Sequence, residues 1–424
     1  MRRYLNVFLL VVTLAVASCS TNKPQPVLKT PSGAVIGENM PDFKPLPDGA
    51  GQGPLATSQN GRASVSPYYD VNGKASTIPS QQPAPAAPEL ITVKVGILVP
   101  LSGPQAELGQ AMLNAAQLAL FDVNASNITL VPRDTTQGAA RAANEVLAEG
   151  AQIILGPLFA KDVKTVSPIA RVRNVPVIAF STDWSAASDN TYIMGFLPFG
   201  QVSRVVDYAA KKGAKSFGAL IPQTPYGAAV NGSLKNELQR QRLPASYSLV
   251  FEPTNGLESA AQQMAQTKVD ALLLPIAGGQ LTQTATLLRQ NDVNLSQTRV
   301  IGTGLWDDSS QAAAQLNGAW YAAPDPKLRT NYNENYRQTF GANPPRLSTL
   351  AYDATALSAA LTMKGLGSTG KPAFSRNDLT NPNGFAGLDG VFRFRPDGLV
   401  ERGLAILEMR GNGSVVVDPA PTRF

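Results

Sequence analysis

The chain has no histidine and a single cysteine, Cys19, in 424 residues. A Ser-His-Asp or Cys-His catalytic set therefore cannot be assembled, and neither can a Cys/His zinc site. Charge is sparse, at 16% of residues, and no Lys/Arg run exceeds two. The net charge of +6 is thus a scattered basicity with no nucleic-acid footprint. Apolar runs are short as well. Val7–Val16, broken by Thr13, is too short to span a bilayer comfortably. What remains is an ordinary hydrophobic share of 43%, spread over short segments, and a length that suits two or three domains.

The most informative stretch is VKVGILVPLSGPQAELGQAMLNAAQLALFD at 93–122. Val93–Val99 is β-branched and compact enough for a buried strand, and Pro100-Leu101-Ser102-Gly103-Pro104 turns the chain. Leu108, Met112, Ala115 and Ala119 then recur on one helical face. Strand, turn and helix make half of a βαβ unit, hence a parallel sheet whose ligands sit off the carboxyl ends of its strands. The Leu101-Ser102-Gly103 turn is either such a ligand position or only a tight turn.

The alternation continues. Strands are expected at 128–131, 153–155, 175–180 and 192–196, with helices at 139–148 and 161–172 between them. A second run follows, with helices at 201–211, 226–243, 257–266 and 281–290 and strands at 217–221, 245–251, 270–274 and 300–302. Helices at 331–340 and 348–363 come later, and 391–395 with 404–409 read as antiparallel strands around Pro396-Asp397-Gly398. Two successive runs of βα units predict an α/β protein with two doubly wound parallel-sheet lobes, and a cleft between them suits a ligand.

The amino terminus carries Arg2 and Arg3, the apolar run, and then Val16-Ala17-Ser18-Cys19. This resembles a bacterial lipoprotein signal, which implies removal of 1–18 and a lipid on Cys19. Among such lipoproteins a residue other than Asp after the cysteine, here Ser20, implies outer-membrane sorting. Residues 20–89 hold 12 prolines and 7 glycines in 70 positions, so a packed core is unavailable and 19–89 reads as a disordered tether.

The body from residue 90 resembles the type I periplasmic binding proteins of the Leu/Ile/Val-binding group. The carriers are VGILVPLSGPQAELGQAMLNAAQLAL at 95–120, IILGPLFAKDVKTVSPIARVRNVPVIAFST at 153–182, PYGAAVNGSLKNELQ at 225–239, VDALLLPIAGGQLTQTATLLRQ at 269–290 and IGTGLWD at 301–307. The resemblance implies three crossovers between lobes, near 195–197, 321–323 and 394. Lobe 1 would then be about 90–196 with 323–393, and lobe 2 about 197–322 with 394–424.

It also implies a small amino-acid-like ligand, no cofactor or metal, and an ABC permease as partner. The candidate ligand positions are Leu101, Ser102, Phe159, Ser181, Thr182, Tyr226, Trp306 and Asp307. Ser181 and Thr182 either donate to a carboxylate or cap the next turn. Trp306 either stacks on a ligand or belongs to the core, and Asp307 falls near the acid that pairs an ammonium in the family. Leu158-Phe159-Ala160 departs from the serines of many members. That departure, the tether and the sorting signal also fit a sister group, which resembles outer-membrane activators of penicillin-binding proteins.

Two enzyme patterns fail. Ser-x-x-Lys at 20–23 and 368–371, with Ser188-Asp189-Asn190, lacks the Lys-Thr-Gly triplet and the order of penicillin-recognising enzymes. Asp134 and Glu145 have no reason to converge as a glycosidase pair.

Overall fold

Val93–Val99 forms an inner strand of a parallel sheet and buries nearly every residue, as its β-branched content predicts. The computed structural model describes residues 68–69, 75–76 and 91–424, except 296, 308 and 412. Cys19 and most of the Pro/Gly-rich segment lie outside the described residues. Within that segment β1 (Tyr68–Tyr69) and β2 (Ala75–Ser76) pair antiparallel.

The first lobe then runs β3 (Val93–Val99), α1 (Ala106–Asp122), β4 (Ile128–Asp134), α2 (Ala139–Ala148), β5 (Ile153–Leu155), α3 (Ala160–Val172), β6 (Val177–Ala179) and β7 (Thr191–Ile193). Its sheet has the order β4-β3-β5-β6-β7, parallel throughout. α1 crosses the end of β3 so closely that a Cβ on Gly109 would lie 1.8 Å from the Pro100 carbonyl oxygen. Only glycine permits that approach, which lets Met112 and Ala115 bury completely on the sheet.

The second lobe follows as α4 (Pro198–Lys211), β8 (Phe217–Pro222), α5 (Pro225–Arg240), β9 (Tyr247–Phe251), α6 (Leu257–Ala265), β10 (Ala271–Leu274), α7 (Gly278–Gln290), β11 (Arg299–Thr303), α8 (Ser310–Ala313) and β12 (Trp320–Ala323). The chain returns to the first lobe with α9 (Thr330–Phe340) and α10 (Ser348–Thr369). α10 outlasts its expected end at Met363 and stops at Gly370, whose φ of 72° makes a left-handed cap. α11 (Arg376–Leu379), β13 (Phe385–Gly387), β14 (Gly390–Phe394), β15 (Val400–Arg402), β16 (Ala405–Arg410) and β17 (Gly413–Asp418) complete the order.

The second sheet has the order β17-β16-β12-β11-β10-β8-β9, parallel from β9 to β12 and antiparallel beyond. Leu197 packs in the first lobe's core and Val202 in the second's, so the first passage lies at the start of α4. The next lies between Ala323 and Tyr332.

The tail differs from expectation. β14 and the stretch that becomes β16 do not pair with each other. β14 pairs with β15 around Pro396-Asp397-Gly398, in a small sheet with β13, while β16 joins β12. Burial decides this, because Phe392 and Phe394 enter the first lobe's core and Ala405 and Leu407 the second's. The third passage therefore lies near Gly403, not near Phe394. A Cβ at Gly403 would stand 2.7 Å from Val391 and 3.0 Å from the Pro421 carbonyl oxygen. The last residues return across this passage: Phe424 lies under the Arg393 guanidinium of β14, 4.4 Å from ring centre to Cζ.

Candidate functional site

The carboxyl ends of the strands face each other where the two lobes meet. A cavity of about 400 Å³ opens there. The first lobe contributes Thr182 beyond β6, and Arg346 and Leu347 before α10. The second contributes Tyr226 at the start of α5, Gly278 at the start of α7, and Gly304, Leu305 and Ser309 after β11. Phe196 and Gln201, at the first passage, also line it.

Several of the polar groups are already engaged. Gln201 Oε1 accepts from the Gly304 N–H at 2.8 Å, and Ser309 Oγ accepts from the Gly278 N–H at 3.2 Å. The Tyr226 hydroxyl donates to Thr303 Oγ1 at 3.0 Å, and burial pushes its pKa up to about 12. Tyr226 is therefore a neutral hydrogen-bonding group at any physiological pH.

Of the eight expected ligand positions, Thr182 and Tyr226 line this cavity. Leu101 and Ser102 sit instead in a turn locked onto Asp134. The Leu101 N–H donates to Asp134 Oδ1 at 2.9 Å and the Ser102 hydroxyl to Oδ2 at 2.5 Å. Burial raises the Asp134 carboxyl, but these bonds and those from Thr136 outweigh it and hold the pKa below the usual range. Glu145 faces Arg133 at 2.9 Å and not Asp134. Phe159 is 43% exposed ahead of α3. Ser181 is buried and its Oγ accepts from the Asp183 N–H at 3.0 Å, which caps the turn.

Trp306 is part of the second lobe's core. It is 1% exposed, and its Nε1–H donates to the carbonyls of Leu274 at 3.2 Å and Ile276 at 3.1 Å. Its ring fills the space that a side chain at Gly302 would occupy, where a Cβ would approach Cε2 to 2.2 Å. Trp306→Ala should lower stability by about 3–5 kcal/mol, read as a fall in the urea midpoint at constant m-value. A loss below about 1 kcal/mol would mean that the ring carries little packing.

Asp307 leads into a buried charge cluster beneath the cavity. Its carboxylate, 6% exposed, lies 3.0 Å from Arg346 Nε and 3.4 Å from Arg329 Nη2. Asp307 belongs to the second lobe and Arg346 to the first, so this ion pair joins the lobes. Arg346 continues to Asp389 at 2.8 Å and to Thr349 Oγ1 at 2.9 Å, and its guanidinium covers the Phe196 ring at 4.2 Å. Asp353, on α10, accepts from the N–H groups of Leu388 at 2.7 Å and Asp389 at 3.4 Å. Arg402 donates to the Met194 carbonyl at 2.8 Å, and its buried Nε and Nη1 have no hydrogen-bond partner.

Burial separates the carboxyls. It pushes Asp353 up to about 7, with the nearby Asp389 charge adding to the rise. Asp389 is equally buried, but Arg346 and Arg402 outweigh that and hold it below the usual range. Burial raises Asp307 as well, against the pull of Arg346 and Arg329. Sequence reasoning did not single out Arg346, Arg402 or Asp389. Their partners are distant along the chain, and only the sparseness of charge hinted that the remaining charges are placed with purpose.

A family model described as periplasmic binding protein matches residues 92–414. An uncharacterized protein of Rickettsia prowazekii, RP748, is 26% identical over 162 residues, which are 38% of this chain and 43% of that one; the chain therefore spans less than half of that relative's length. Solved structures share the fold, two of them as follows. One is a periplasmic ligand-binding protein of a branched-chain amino acid ABC transporter from Burkholderia xenovorans, 16% identical, covering 77% of this chain and 94% of that one at a TM-score of 0.64. The other is the C-domain of LpoA from Haemophilus influenzae, a regulator of PBP1A, 17% identical over 76% of this chain and 99% of that one, with a TM-score of 0.60. With two doubly wound lobes, three passages and a cavity at the facing strand ends, the chain belongs to the type I periplasmic binding proteins of the leucine-binding family.

Proposed function

We propose that this is a non-enzymatic binding protein of the cell envelope, anchored by lipid on Cys19, whose inter-lobe cleft takes a small ligand of amino-acid size. The observation that carries the reading is the cavity of about 400 Å³ between the lobes, with Thr182 on one wall and Tyr226 on the other. A group held by both walls favours the closed arrangement of the lobes. An ABC permease is the partner that such a protein serves.

A second reading is favoured by the likeness to the LpoA C-domain and by the Pro/Gly-rich segment. In it the lobe surface activates a peptidoglycan synthase, and the segment supplies reach from the outer membrane. One experiment separates the two. Deleting about 40 residues between Lys23 and Pro85 shortens the maximum span by ~120 Å. Thr182→Val with Tyr226→Phe removes two cleft hydroxyls, which weakens ligand binding by about tenfold or more. If the hydroxyl pair abolishes uptake in cells and the deletion is tolerated, the solute reading holds. If the deletion abolishes synthase activation and the hydroxyl pair is silent, the activator reading replaces it. Cys19→Ala should lose incorporation of a palmitate analogue, and equal labelling would refute the anchor.

A further inference from the structure

The end of the second lobe away from the cavity concentrates the chain's positive charge. Strands β8, β10, β11 and β12 all begin there, side by side in parallel register. The turns that enter them form one continuous surface. The Lys215 N–H donates to Asp270 Oδ2 at 2.8 Å, the Arg299 guanidinium covers the Trp320 ring at 4.3 Å, and the Trp320 Nε1–H donates to Glu408 Oε2 at 2.9 Å. Residues 207–216, 237–246, 266–270, 289–299 and 408–411, which build this end, hold nine Lys/Arg and five Asp/Glu. Residues 91–424 together hold 29 and 25, so this one surface accounts for their whole positive excess and the remainder is balanced.

Most of the acids are already engaged. Asp207 pairs with Lys211 at 2.7 Å, Glu408 with Arg410 at 2.7 Å, and Glu237 lies buried against Arg240. Asp270 accepts from the backbone N–H groups of Lys215 and Ser216, and Asp292 is exposed. Lys212, Lys215, Arg242, Lys268 and Arg289 are exposed and, among the described residues, form no ion pair. Tyr247, 42% exposed, opens the edge strand β9 at the same end. The hollows on this surface measure about 250 and 220 Å³, against about 400 Å³ for the cleft. Unpaired cations spread over several turns, beside an exposed tyrosine, suit an extended anionic surface better than a small ligand. A lipid on Cys19 would keep a bilayer within reach of the chain, and each Lys or Arg close to anionic headgroups adds to the attraction. We infer that this end of the second lobe docks on an anionic phospholipid surface through the headgroup phosphates, with the cleft left open at the opposite end of the strands. The choice of a bilayer among anionic surfaces rests on the anchor reading of Cys19.

Vesicle co-sedimentation tests it on the whole mature chain, residues 19–424 with Cys19→Ser, so that neither signal nor lipid contributes. Phosphatidylcholine vesicles containing about 40% phosphatidylglycerol should bind it at least about tenfold more tightly than pure phosphatidylcholine. Raising salt to about 0.5 M should remove the difference. Lys212→Gln with Lys215→Gln and Lys268→Gln removes three exposed cations from this end and should weaken binding by about 10- to 100-fold. Lys161→Gln with Lys327→Gln and Lys371→Gln removes three exposed cations elsewhere and should change it less than about threefold, because they lie beyond the screening length. Equal loss in the two triple variants would assign the binding to net charge and overturn the inference. Equal binding to neutral vesicles, or none to either kind, would overturn it too, and the second result would point to an acidic protein as the occupant of this surface. All of these readouts are independent of the anchor, which stands or falls on palmitate labelling of Cys19.

Discussion

Arg346→Met should lower the unfolding free energy by about 3–5 kcal/mol. The Met side chain replaces most of the stem but leaves Asp307 with Arg329 alone, and takes from Asp389 the guanidinium 2.8 Å away. Both carboxylates are buried, with side-chain exposures of 6% and 0%, so water does not compensate them. Arg346→Lys keeps the charge but cannot reach both acids with one planar fork, so it should recover only part of the loss. Urea denaturation of the two variants beside wild type checks this. Losses below about 1 kcal/mol for Met would show that the pairs behave as solvated surface bridges. Double-mutant cycles with Asp307→Asn would then report how much of the effect passes between the lobes.

The second large effect is on pH. The Asp353 carboxyl titrates at about 7 in the folded chain, against 3.8 ordinarily. Between these values the folded state holds a proton that the unfolded state has released. Its contribution is therefore fully present below about pH 4 and is lost as pH rises through about 7. Asp134, Asp183, Asp270 and Asp389 are held low and act in the opposite sense, losing stability as pH falls through their folded values. Stability should accordingly pass through a maximum in mildly acidic solution and decline towards pH 8. Asp353→Asn keeps an oxygen for the Leu388 N–H, 2.7 Å away in wild type, and removes the titration. It should flatten the decline between pH 5 and 8, an effect on the order of 2–4 kcal/mol at the upper end. A variant with the same slope as wild type would assign the decline to another group.

The βα alternation was legible because buried parallel strands are short apolar runs and their helices keep one apolar face. The cleft was legible only in part. Thr182 and Tyr226 stand at a strand end and a helix start, which the topology directs towards the cavity. Trp306 stands at a similar strand end, yet it turns inward because Gly302 leaves room for its ring and the Leu274 and Ile276 carbonyls receive its N–H. No local pattern encodes that choice. The ion pairs of Asp307, Arg346 and Asp389 arise from tertiary proximity across two passages of the chain, which spacing cannot reveal. The tail misled for a similar reason: 391–395 and 404–409 share a strand-like composition and bury in different cores.

Phe424 gives the molecule a catch as well as a hinge. Three strands of backbone pass between the lobes, and β17, which leads to the last residues, moves with the second lobe. Phe424 rests on Arg393 of the first. Any rotation that carries β17 away from β14 must either straighten residues 419–423 or lift the ring from the guanidinium. A cation–π contact at an exposed site is worth about 0.5–1 kcal/mol, which biases two lobe arrangements by a factor of about 2–5. That is too weak to lock the molecule. It is enough to favour the arrangement in which the ring and the guanidinium meet, and no more.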